Sequence, residues 1–321
     1  PGAVIEGNFR MLATNGGGVT LSGRAKVGVA GLQVGSQWGG GVFDALSTTG
    51  NINMDAGTNS ISFQNAASAI YLGSKTGSAV TAATGNIVLT ADSLNLASAT
   101  SYASTTGTLT IQPTSSSFSS AVTSTGWVLD TGLTGLTVGS LTNTANITWA
   151  SSNTVNGPIN IYGGNITLNS AIGTTNTSTG DVLLRGADIN SAYNISMATG
   201  RTLTVDNTGS NSIVSGIVSG TSANLVKQGA GTLYLRGLNN YSGLTTVSAG
   251  YLELNTAGSL VTDVVNNAGF GFNQTADYTF AKTISGTGYL VKYGTNTLTL
   301  TAANAYTGVS YLYGGTVSVS S

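Results

Sequence analysis

Apolar and polar residues alternate over many short stretches of this chain, and Gly, Asn or Asp bounds each stretch. Segments such as "NIVLTA", "NITLNS", "TLYLRG" and "TLTLTA" place aliphatic side chains on one face and Thr, Ser or Asn on the other. A period of two residues over four to eight positions is typical of a half-buried β-strand. The pattern predicts an all-β chain of short strands joined by turns.

Four predicted strands begin with one formula: a small residue, Gly, Asn or Asp, a β-branched residue, any residue, and a large aliphatic. The formula occurs at 49–54, 84–89, 163–168 and 179–184. Gly and Asn tolerate positive φ, so we expect the chain to turn a corner before each strand. The alternating aliphatics are expected to point inward, and the core positions predicted on this basis are Leu233, Leu235, Leu252, Leu254, Leu298, Leu300, Ile87, Leu89, Ile166 and Leu168.

A short strand of this kind cannot bury its apolar face alone, but stacked copies can, as in solenoids. With coils of roughly 20 residues the chain would make about 15 coils. An antiparallel sandwich is the competing all-β interpretation. It requires hairpin turns every 8–12 residues or so, and the long-range similarity described next argues against it.

Two segments of the C-terminal third are similar at an offset of 65 residues, for example at Val226-Lys227 and Val291-Lys292. We expect residues 256–283 to form an extra coil between the two copies. The predicted repeat turn positions are Gly229, Asn239, Tyr241, Gly243 and Gly250 in the first copy and Gly294, Asn304, Tyr306, Gly308 and Gly315 in the second.

The segments "LVKQGAGTLYLRGLNNYSGLTTVSAGYLELN" and "LVKYGTNTLTLTAANAYTGVSYLYGGTVSVS" resemble the passenger-associated repeat of bacterial autotransporters. That pattern reads Leu-x-Lys-x-Gly, Gly-x-Leu-x-Leu, Asn-x-Tyr-x-Gly-x-Thr and Gly-x-Leu. The resemblance covers residues 217–321, and the second copy departs from it at Thr295, Asn296, Ala305 and Ser310. Residues 80–212 are similar in style to filamentous-haemagglutinin-like exoproteins. Both resemblances imply a right-handed parallel β-helix (β-solenoid) exported to the bacterial surface by a type V secretion route.

Three segments are predicted within this solenoid. Residues 1–45 are Gly-rich strands that start or cap it, and residues 46–212 form an irregular filamentous-haemagglutinin-like part. Residues 213–321 carry the two autotransporter-passenger-like repeats, continuous with the same solenoid. Because the chain starts at Pro1 and stops in a strand pattern, we expect a piece of a longer chain or ends that meet other copies.

The composition of the chain argues against several classes of partner and of catalytic or metal site. Charged residues make up 7 % of the chain and the net charge is −1, so neither nucleic acid nor an anionic membrane is an expected partner. The chain has no run of 18 apolar residues, so this segment is not expected to insert into a membrane. The chain has no His and no Cys, which excludes imidazole-based nucleophile pairs and His or Cys metal sites.

A polysaccharide-acting β-helix enzyme is an alternative, and it would need clustered carboxylates. Asp181 and Asp188, with Arg185 between them, are the nearest acids, although turn capping is the expected role of such residues. The segment "WGGGVFD", 38–44, approaches a Ca²⁺-binding repeat but has Val42 in place of a Gly and no second copy. We therefore predict no catalytic residue, cofactor or metal ion.

Tyrosines concentrate near the C-terminal end of the chain, where nine of the 13 lie between residues 234 and 313. Tyr311 and Tyr313 alternate with Leu312 and share one face of a predicted strand, with Tyr289 and Tyr293 as expected neighbours. These four tyrosines are the candidate contact face, suited to stacking on sugars or to subunit contact. Scattered, half-buried rings are the alternative interpretation.

These patterns predict a non-enzymatic extracellular structural or adhesive protein of a bacterial surface, forming a stiff β-solenoid rod or fibre. A surface rich in Thr, Ser, Asn and Tyr provides little charge repulsion between neighbours. The expected partners are other copies of the chain, bound laterally or head-to-tail, surface glycans, or both, as in a biofilm matrix. A glycan-binding adhesin module is the alternative, and a polysaccharide-acting enzyme is a further one.

Overall fold

The computed structural model describes residues 3–5, 9–13, 17–22, 32–34, 43–63, 69–76, 78, 81–95, 100–209 and 211–320. All regular secondary structure in these ranges is β-strand. The described residues therefore include no helix that is long and apolar enough to cross a membrane. Strands on successive coils pair in parallel, and Ile87, for example, is in register with Ile52 on one neighbouring strand and with Leu109 on the other. The predicted parallel β-solenoid is confirmed.

The chain divides into two compact units, of which the first covers Pro1–Gly164. Its strands are β1 Ala3–Ile5, β2 Phe9–Ala13, β3 Val19–Ser22, β4 Leu32–Val34, β5 Phe43–Ser47, β6 Ile52–Phe63, β7 Ala69–Gly73, β8 Ile87–Asn95, β9 Thr100–Ser104, β10 Thr108–Gln112, β11 Val122–Thr123, β12 Trp127–Leu129, β13 Gly135–Val138, β14 Ile147–Trp149, β15 Asn153–Val155 and β16 Ile159–Tyr162.

The second unit covers Asn165–Ser321. Its strands are β17 Ile166–Leu168, β18 Ile172–Thr174, β19 Val182–Gly186, β20 Ile189–Ser191, β21 Ile195–Ser196, β22 Thr202–Asn207, β23 Ser212–Val214, β24 Val218–Ser219, β25 Asn224–Gln228, β26 Thr232–Leu235, β27 Thr245–Val247, β28 Tyr251–Thr256, β29 Val264–Asn266, β30 Gly269–Gln274, β31 Tyr278–Phe280, β32 Ile284–Ser285, β33 Tyr289–Lys292, β34 Thr297–Leu300, β35 Ser310–Leu312 and β36 Thr316–Val319.

Within each unit, strands of successive coils build the sides of the solenoid. In the first unit the longest sheet runs β1-β4-β6-β8-β10-β13-β16, with β3 also paired to β6, and another runs β2-β5-β7-β9-β12. In the second unit, face 1 is β19-β22-β25-β27-β29-β32 and face 2 is β17-β20-β23-β26-β28-β30-β33-β35. The remaining side, face 3, carries the shorter sheets β18-β21-β24 and β31-β34-β36.

The inward side of each sheet forms an aliphatic core. All ten predicted core residues are buried, with at most 2 % of their surface exposed. Burying an aliphatic side chain of this size contributes about 1.5–3 kcal/mol relative to leaving it exposed. The core therefore follows directly from the two-residue period of the sequence.

The strand-start formula fastens one coil to the next. Asn51 Oδ1 accepts a hydrogen bond from the Asn86 amide at 3.0 Å, and Asn86 Oδ1 accepts one from the Thr108 amide at 2.9 Å. The Gly before each Asn does not have the expected positive φ. A Cβ on Gly85 would lie 2.0 Å from the Gly50 carbonyl oxygen, so Gly is needed there for close approach of two coils.

Coil lengths vary along the chain. The side-chain-to-amide bonds between successive coils span 35 residues at Asn51–Asn86 and 22 at Asn86–Thr108. In the second unit they span 21 at Asp181–Thr202 and 20 at Asn224–Leu244. Among the described residues the longest sheet of the first unit has seven stacked strands and face 1 of the second unit has six, a count close to the predicted 15 or so.

The two similar C-terminal segments lie on different faces. Three pairing steps along face 1 lead from Leu225 through Thr245 and Val264 to Ile284. The partner of Leu225 at the 65-residue offset is Leu290, which lies on β33 of face 2. The offset thus equals three coils plus one side. At about 20 residues a coil, residues 256–283 form one coil and one further side rather than a single coil.

Candidate functional site

Tyrosines converge on the outward side of face 2 in the second unit. Tyr251 on β28 is in register with Gly269 on β30, which is in register with Tyr289 on β33. Two residues further along β33, Val291 pairs with Tyr311 on β35. The parallel register therefore brings together residues that are far apart in the sequence.

The four predicted face residues and Tyr251 form a continuous set of ring contacts, which we call the tyrosine face. Tyr251 stacks on Tyr289 with ring centroids 6.1 Å apart, and Tyr289 meets the edge of Tyr311 at 6.1 Å. Tyr311 stacks on Tyr313 at 6.3 Å, and Tyr313 stacks on Tyr293 at 5.1 Å. Tyr289, Tyr311 and Tyr313 are 39 %, 45 % and 67 % exposed, so much of this aromatic surface faces solvent.

Two glycines of β30 leave space for the rings. A Cβ on Gly269 would lie 2.4 Å from Cζ of Tyr289, and one on Gly271 would lie 1.7 Å from Oη of Tyr251. The Tyr251 and Tyr289 side chains therefore lie across the bare backbone of β30. Tyr251 and these glycines were not among the residues predicted from the sequence. The signal for them is the alternation "GFGF" on β30, which places Gly outward and Phe270 and Phe272 in the core.

Two shallow hollows open beside the rings. One, of about 330 Å³, is lined by Thr232, Tyr251, Tyr289, Val291, Tyr293, Tyr311 and Tyr313. The other, of about 580 Å³, is lined by Asn211, Ile213, Thr232, Tyr234, Arg236, Tyr251, Glu253, Asn255, Asn273 and Tyr293. They share Thr232, Tyr251 and Tyr293, so we treat them as one tyrosine groove. Volumes of this size are typical of sites for small ligands.

Burial and a nearby carboxylate shape the electrostatics of the groove. The Tyr251 hydroxyl is buried beside the Glu253 carboxylate. Burial, and after it the charge of Glu253, raises the pKa of Tyr251 well above the ordinary tyrosine value. Burial also raises the pKa of Tyr293, with smaller contributions from Tyr313 and Glu253. The Tyr251 and Tyr293 hydroxyls therefore stay neutral at physiological pH.

The predicted glycine turn positions lie at coil corners. Gly229 and Gly250 in the first copy and Gly294 and Gly315 in the second have φ between 68° and 76°, a region that favours Gly. Gly243 and Gly308 are needed for a different reason, which is the close approach of the neighbouring coil. A Cβ on Gly308 would lie 2.1 Å from the Gly288 carbonyl oxygen, and one on Gly243 would lie 2.5 Å from the Ala223 carbonyl oxygen.

The predicted Asn turn positions join coils through their side chains. Asn239 is 2 % exposed, and its Oδ1 accepts a hydrogen bond from the Val218 amide at 2.9 Å. Its Nδ2 donates to the carbonyl oxygens of Gly237 at 2.9 Å and Ser259 at 3.1 Å. Asn304 repeats part of this arrangement in the second copy, accepting a bond from the Ile284 amide at 2.8 Å.

The two equivalent tyrosines of the repeat are not part of the tyrosine face. Tyr241 is fully buried, and its Oη lies 2.6 Å from Thr245 Oγ1. Tyr306 makes the same type of contact with Ser310 Oγ at 2.7 Å. Both hydroxyls bond to the residue four positions later, which fixes the corner that leads into the next strand.

Two buried lysines, Lys227 and Lys292, also lie at coil corners, and neither was predicted as a site residue from the sequence. Lys227 is fully buried, and its ammonium donates to the carbonyl oxygens of Gln228 at 2.5 Å, Gly229 at 2.9 Å and Ala249 at 3.3 Å. The Lys of the passenger-repeat pattern thus donates to carbonyl oxygens at the corners of two successive coils. The signal in the sequence is a lone Lys at an inward position of an alternating strand.

The acids proposed for an enzymatic alternative bond to backbone. Asp181 Oδ1 accepts from the Thr202 amide at 2.8 Å, and Asp188 Oδ1 accepts from the Asn211 amide at 2.9 Å. No group of three or more Asp or Glu residues that could hold a metal ion occurs in the described ranges. Residues 38–42 of the calcium-like segment lie outside the described residues.

Comparison with known proteins finds a passenger repeat in the second unit. The chain matches the family model described as passenger-associated-transport-repeat at residues 225–254 and 290–319. These segments correspond to β25–β28 and β33–β36, and each segment runs through several coil corners. The predicted resemblance to autotransporter passengers is confirmed, whereas the filamentous-haemagglutinin-like part stays a prediction.

A curated protein extends the similarity beyond the repeats. The chain is 30 % identical over 253 residues to "Adhesin BmaC autotransporter" of Brucella suis biovar 1 (strain 1330). The match covers 63 % of this chain, and the chain spans about 7 % of the length of that relative. No solved structure matches the chain.

Proposed function

We propose that this chain is part of an adhesive, non-enzymatic passenger displayed on a bacterial surface by a type V route, and that the tyrosine face is its contact surface for glycans. The passenger repeats and the similarity to an autotransporter adhesin support the extracellular, adhesive setting. The observation that carries the proposal is the tyrosine face itself. Its five rings touch in sequence beside a groove of hydroxyl and amide groups.

The chemistry of the face fits carbohydrate. Aromatic rings provide flat apolar surface for the C–H faces of sugars, and their hydroxyls supply hydrogen bonds at the same place. The chain carries only 7 % charged residues, so recognition rests on stacking and hydrogen bonds rather than on ionic contacts. The aliphatic core and fastened corners support a stiff solenoid rod or fibre that carries this face.

The proposal is tested by removing rings from the face. The variant Tyr289→Ala/Tyr293→Ala/Tyr311→Ala/Tyr313→Ala is compared with the unchanged chain on a glycan array, with circular dichroism to verify the fold. We expect loss of at least about tenfold in apparent affinity for the glycans bound by the unchanged chain. Tyr193→Ala is the matched control, because Tyr193 is 48 % exposed and lies outside the face. Equal binding by the fourfold variant and the control would contradict the proposal.

A second copy of the chain is the other candidate partner, favoured by the low charge of the outward surfaces. Sedimentation velocity of the same variants separates the two candidates. Concentration-dependent association that disappears with the four tyrosines, without any glycan binding, would assign the face to self-assembly.

A further inference from the structure

The tyrosine groove has a polar end whose charges are balanced within the protein. Arg236 Nε donates to Asn255 Oδ1 at 3.1 Å, and Asn255 Nδ2 donates to Glu253 Oε1 at 2.6 Å. Asn255 therefore connects a guanidinium at the rim to a carboxylate at the floor. Thr256 Oγ1 also donates to Asn255 Oδ1 at 2.8 Å, so the amide group is held in one orientation.

Glu253 lies on the outward side of face 2 and is nevertheless 3 % exposed. It is in register with Tyr234 on one side and with Gly271 on the other, and the Tyr251 ring lies across Gly271. The surrounding side chains thus hold a carboxylate in a site with little water. The field of a charge is screened less in such a site than at an exposed position.

Among the described residues that line the groove, Arg236 is the only cation and Glu253 is the only carboxylate. The groove therefore has no surplus positive charge for an acidic ligand. A carboxylated or sulfated sugar would lose hydration and meet the Glu253 charge, and the single cation of the described lining, Arg236, already donates through Nε to Asn255. A neutral sugar avoids this cost, since its hydroxyls donate as well as accept hydrogen bonds.

We propose that the tyrosine groove selects neutral glycans over acidic ones, and that Glu253, held by Asn255 and balanced by Arg236, is the group that sets this selectivity. The inference rests on the proposed function, because it assumes that the tyrosine face stacks on sugar rings. The rings supply affinity that neutral and acidic sugars share. Glu253 supplies the difference between them.

A single carboxylate of this kind does not provide the paired groups of a glycoside hydrolase. Such enzymes use two carboxylates on either side of the scissile bond. Glu253 is alone in the described lining, so the groove is assigned binding rather than cleavage. Its bond to Asn255 also makes it part of a fixed hydrogen-bond chain rather than a free acid or base.

The test measures selectivity as a ratio of affinities. Binding of the full chain is measured against matched oligosaccharides, galacto-oligosaccharides as neutral probes and oligogalacturonates of equal length as acidic probes. We expect the unchanged chain to bind the neutral probe at least about tenfold more tightly. Glu253→Gln keeps an oxygen for Asn255 and removes the charge, so the ratio is expected to fall several-fold while binding of the neutral probe persists.

Asp181→Asn is the matched control. It removes one negative charge on face 1, keeps an oxygen for the Thr202 amide, and is expected to leave the ratio unchanged. An unchanged ratio in Glu253→Gln, or preference of the unchanged chain for the acidic probe, would overturn the inference while the tyrosine variants could still uphold the proposed function. Absence of binding to both probes, with tyrosine variants that also have no effect on adhesion, would overturn both.

Discussion

The buried lysines are the residues at which burial and charge conflict most directly. Lys292 is 2 % exposed, and its ammonium donates to the carbonyl oxygens of Tyr293 and Gly294, the latter at 3.2 Å, and to Asn296 Oδ1 at 3.0 Å. Lys227 does the same at the equivalent corner on another face. Burial lowers the pKa of both groups, and the charge of Asp206 partly opposes this at Lys227.

A rise in pH above neutrality is expected to stabilise the folded chain. Burial lowers the pKa of Lys227 from 10.5 to about 8. Above about pH 8 the unfolded chain binds more protons at this lysine than the folded chain, so the free energy of unfolding increases with pH. Near pH 10 this increase is opposed, because tyrosines then deprotonate in the unfolded chain while burial raises the pKa of Tyr251 and Tyr293 in the folded chain. Urea denaturation midpoints measured between these two pH values test this.

Two lysine variants identify the group responsible. Lys227→Met should reduce the rise of the free energy of unfolding with pH, because one of the two buried ammonium groups no longer titrates. Lys282→Met should leave it intact, since Lys282 is exposed. Identical pH profiles for Lys227→Met and the unchanged chain would show that the titrating group lies elsewhere.

At the scale of single elements, β30 decides whether the tyrosine face is flat. Its inward residues Phe270 and Phe272 pack in the core with ring centroids 4.9 Å apart, and its outward glycines carry no side chain. The rings of the flanking strands β28 and β33 fill that space and so protect the bare backbone from water. An aromatic ring over a strand glycine is a known means of stabilising a sheet.

Adding one methyl group to β30 should disturb the face. In Gly271→Ala the new Cβ would lie 1.7 Å from Oη and 2.5 Å from Cζ of Tyr251, so the ring must move. We expect a loss of about 1–3 kcal/mol in the free energy of unfolding, together with a changed near-ultraviolet dichroism signal from the tyrosines.

Gly135→Ala is the matched control for β30. Gly135 also lies in a strand, but a Cβ there has its nearest neighbour at 3.4 Å, an ordinary van der Waals contact. That variant should unfold close to the unchanged chain. If both glycine variants unfold at the same urea concentration and keep the tyrosine signal, the Tyr251 ring does not lie across Gly271 in solution.

The strands and their buried sides follow from the sequence, whereas the pairing partners of each outward residue do not. Alternation alone identifies Leu252 and Leu254 as core, because the core needs only the period of two. The neighbours of Glu253 depend on coil length, which is set by corners that differ in residue number. Tyr251 and Gly271 could therefore not be placed beside one another until the register of β28 and β30 was known.

At the scale of the whole chain, the scarcity of charge distinguishes this protein from ordinary soluble domains. There are ten Lys and Arg and eleven Asp and Glu among 321 residues. Ion pairs of the described residues include Lys75–Asp44 at 3.0 Å and Arg185–Asp206 at 3.4 Å, both partly exposed. Such pairs contribute little to stability, so the fold depends on its core and on hydrogen bonds between coils.

Thermal stability should therefore be nearly independent of salt. Sodium chloride screens exposed charges within roughly 10 Å at 0.1 M, and this chain has few of them. Raising the concentration from about 0.05 to about 0.5 M is expected to move the unfolding temperature by less than about 2 °C. A shift of about 5 °C or more in differential scanning calorimetry would mean that charge pairs hold the fold together after all.

The two passenger repeats are out of phase with the coil, since 65 residues correspond to three coils plus one side. Duplication of such a segment places the new copy around a corner from its parent. Identical strands then never become neighbours in one ladder. Identical neighbouring segments in a repeat array favour slipped or exchanged pairing while the chain folds. The phase difference lets the gene reuse a sequence and still give every strand a distinct partner.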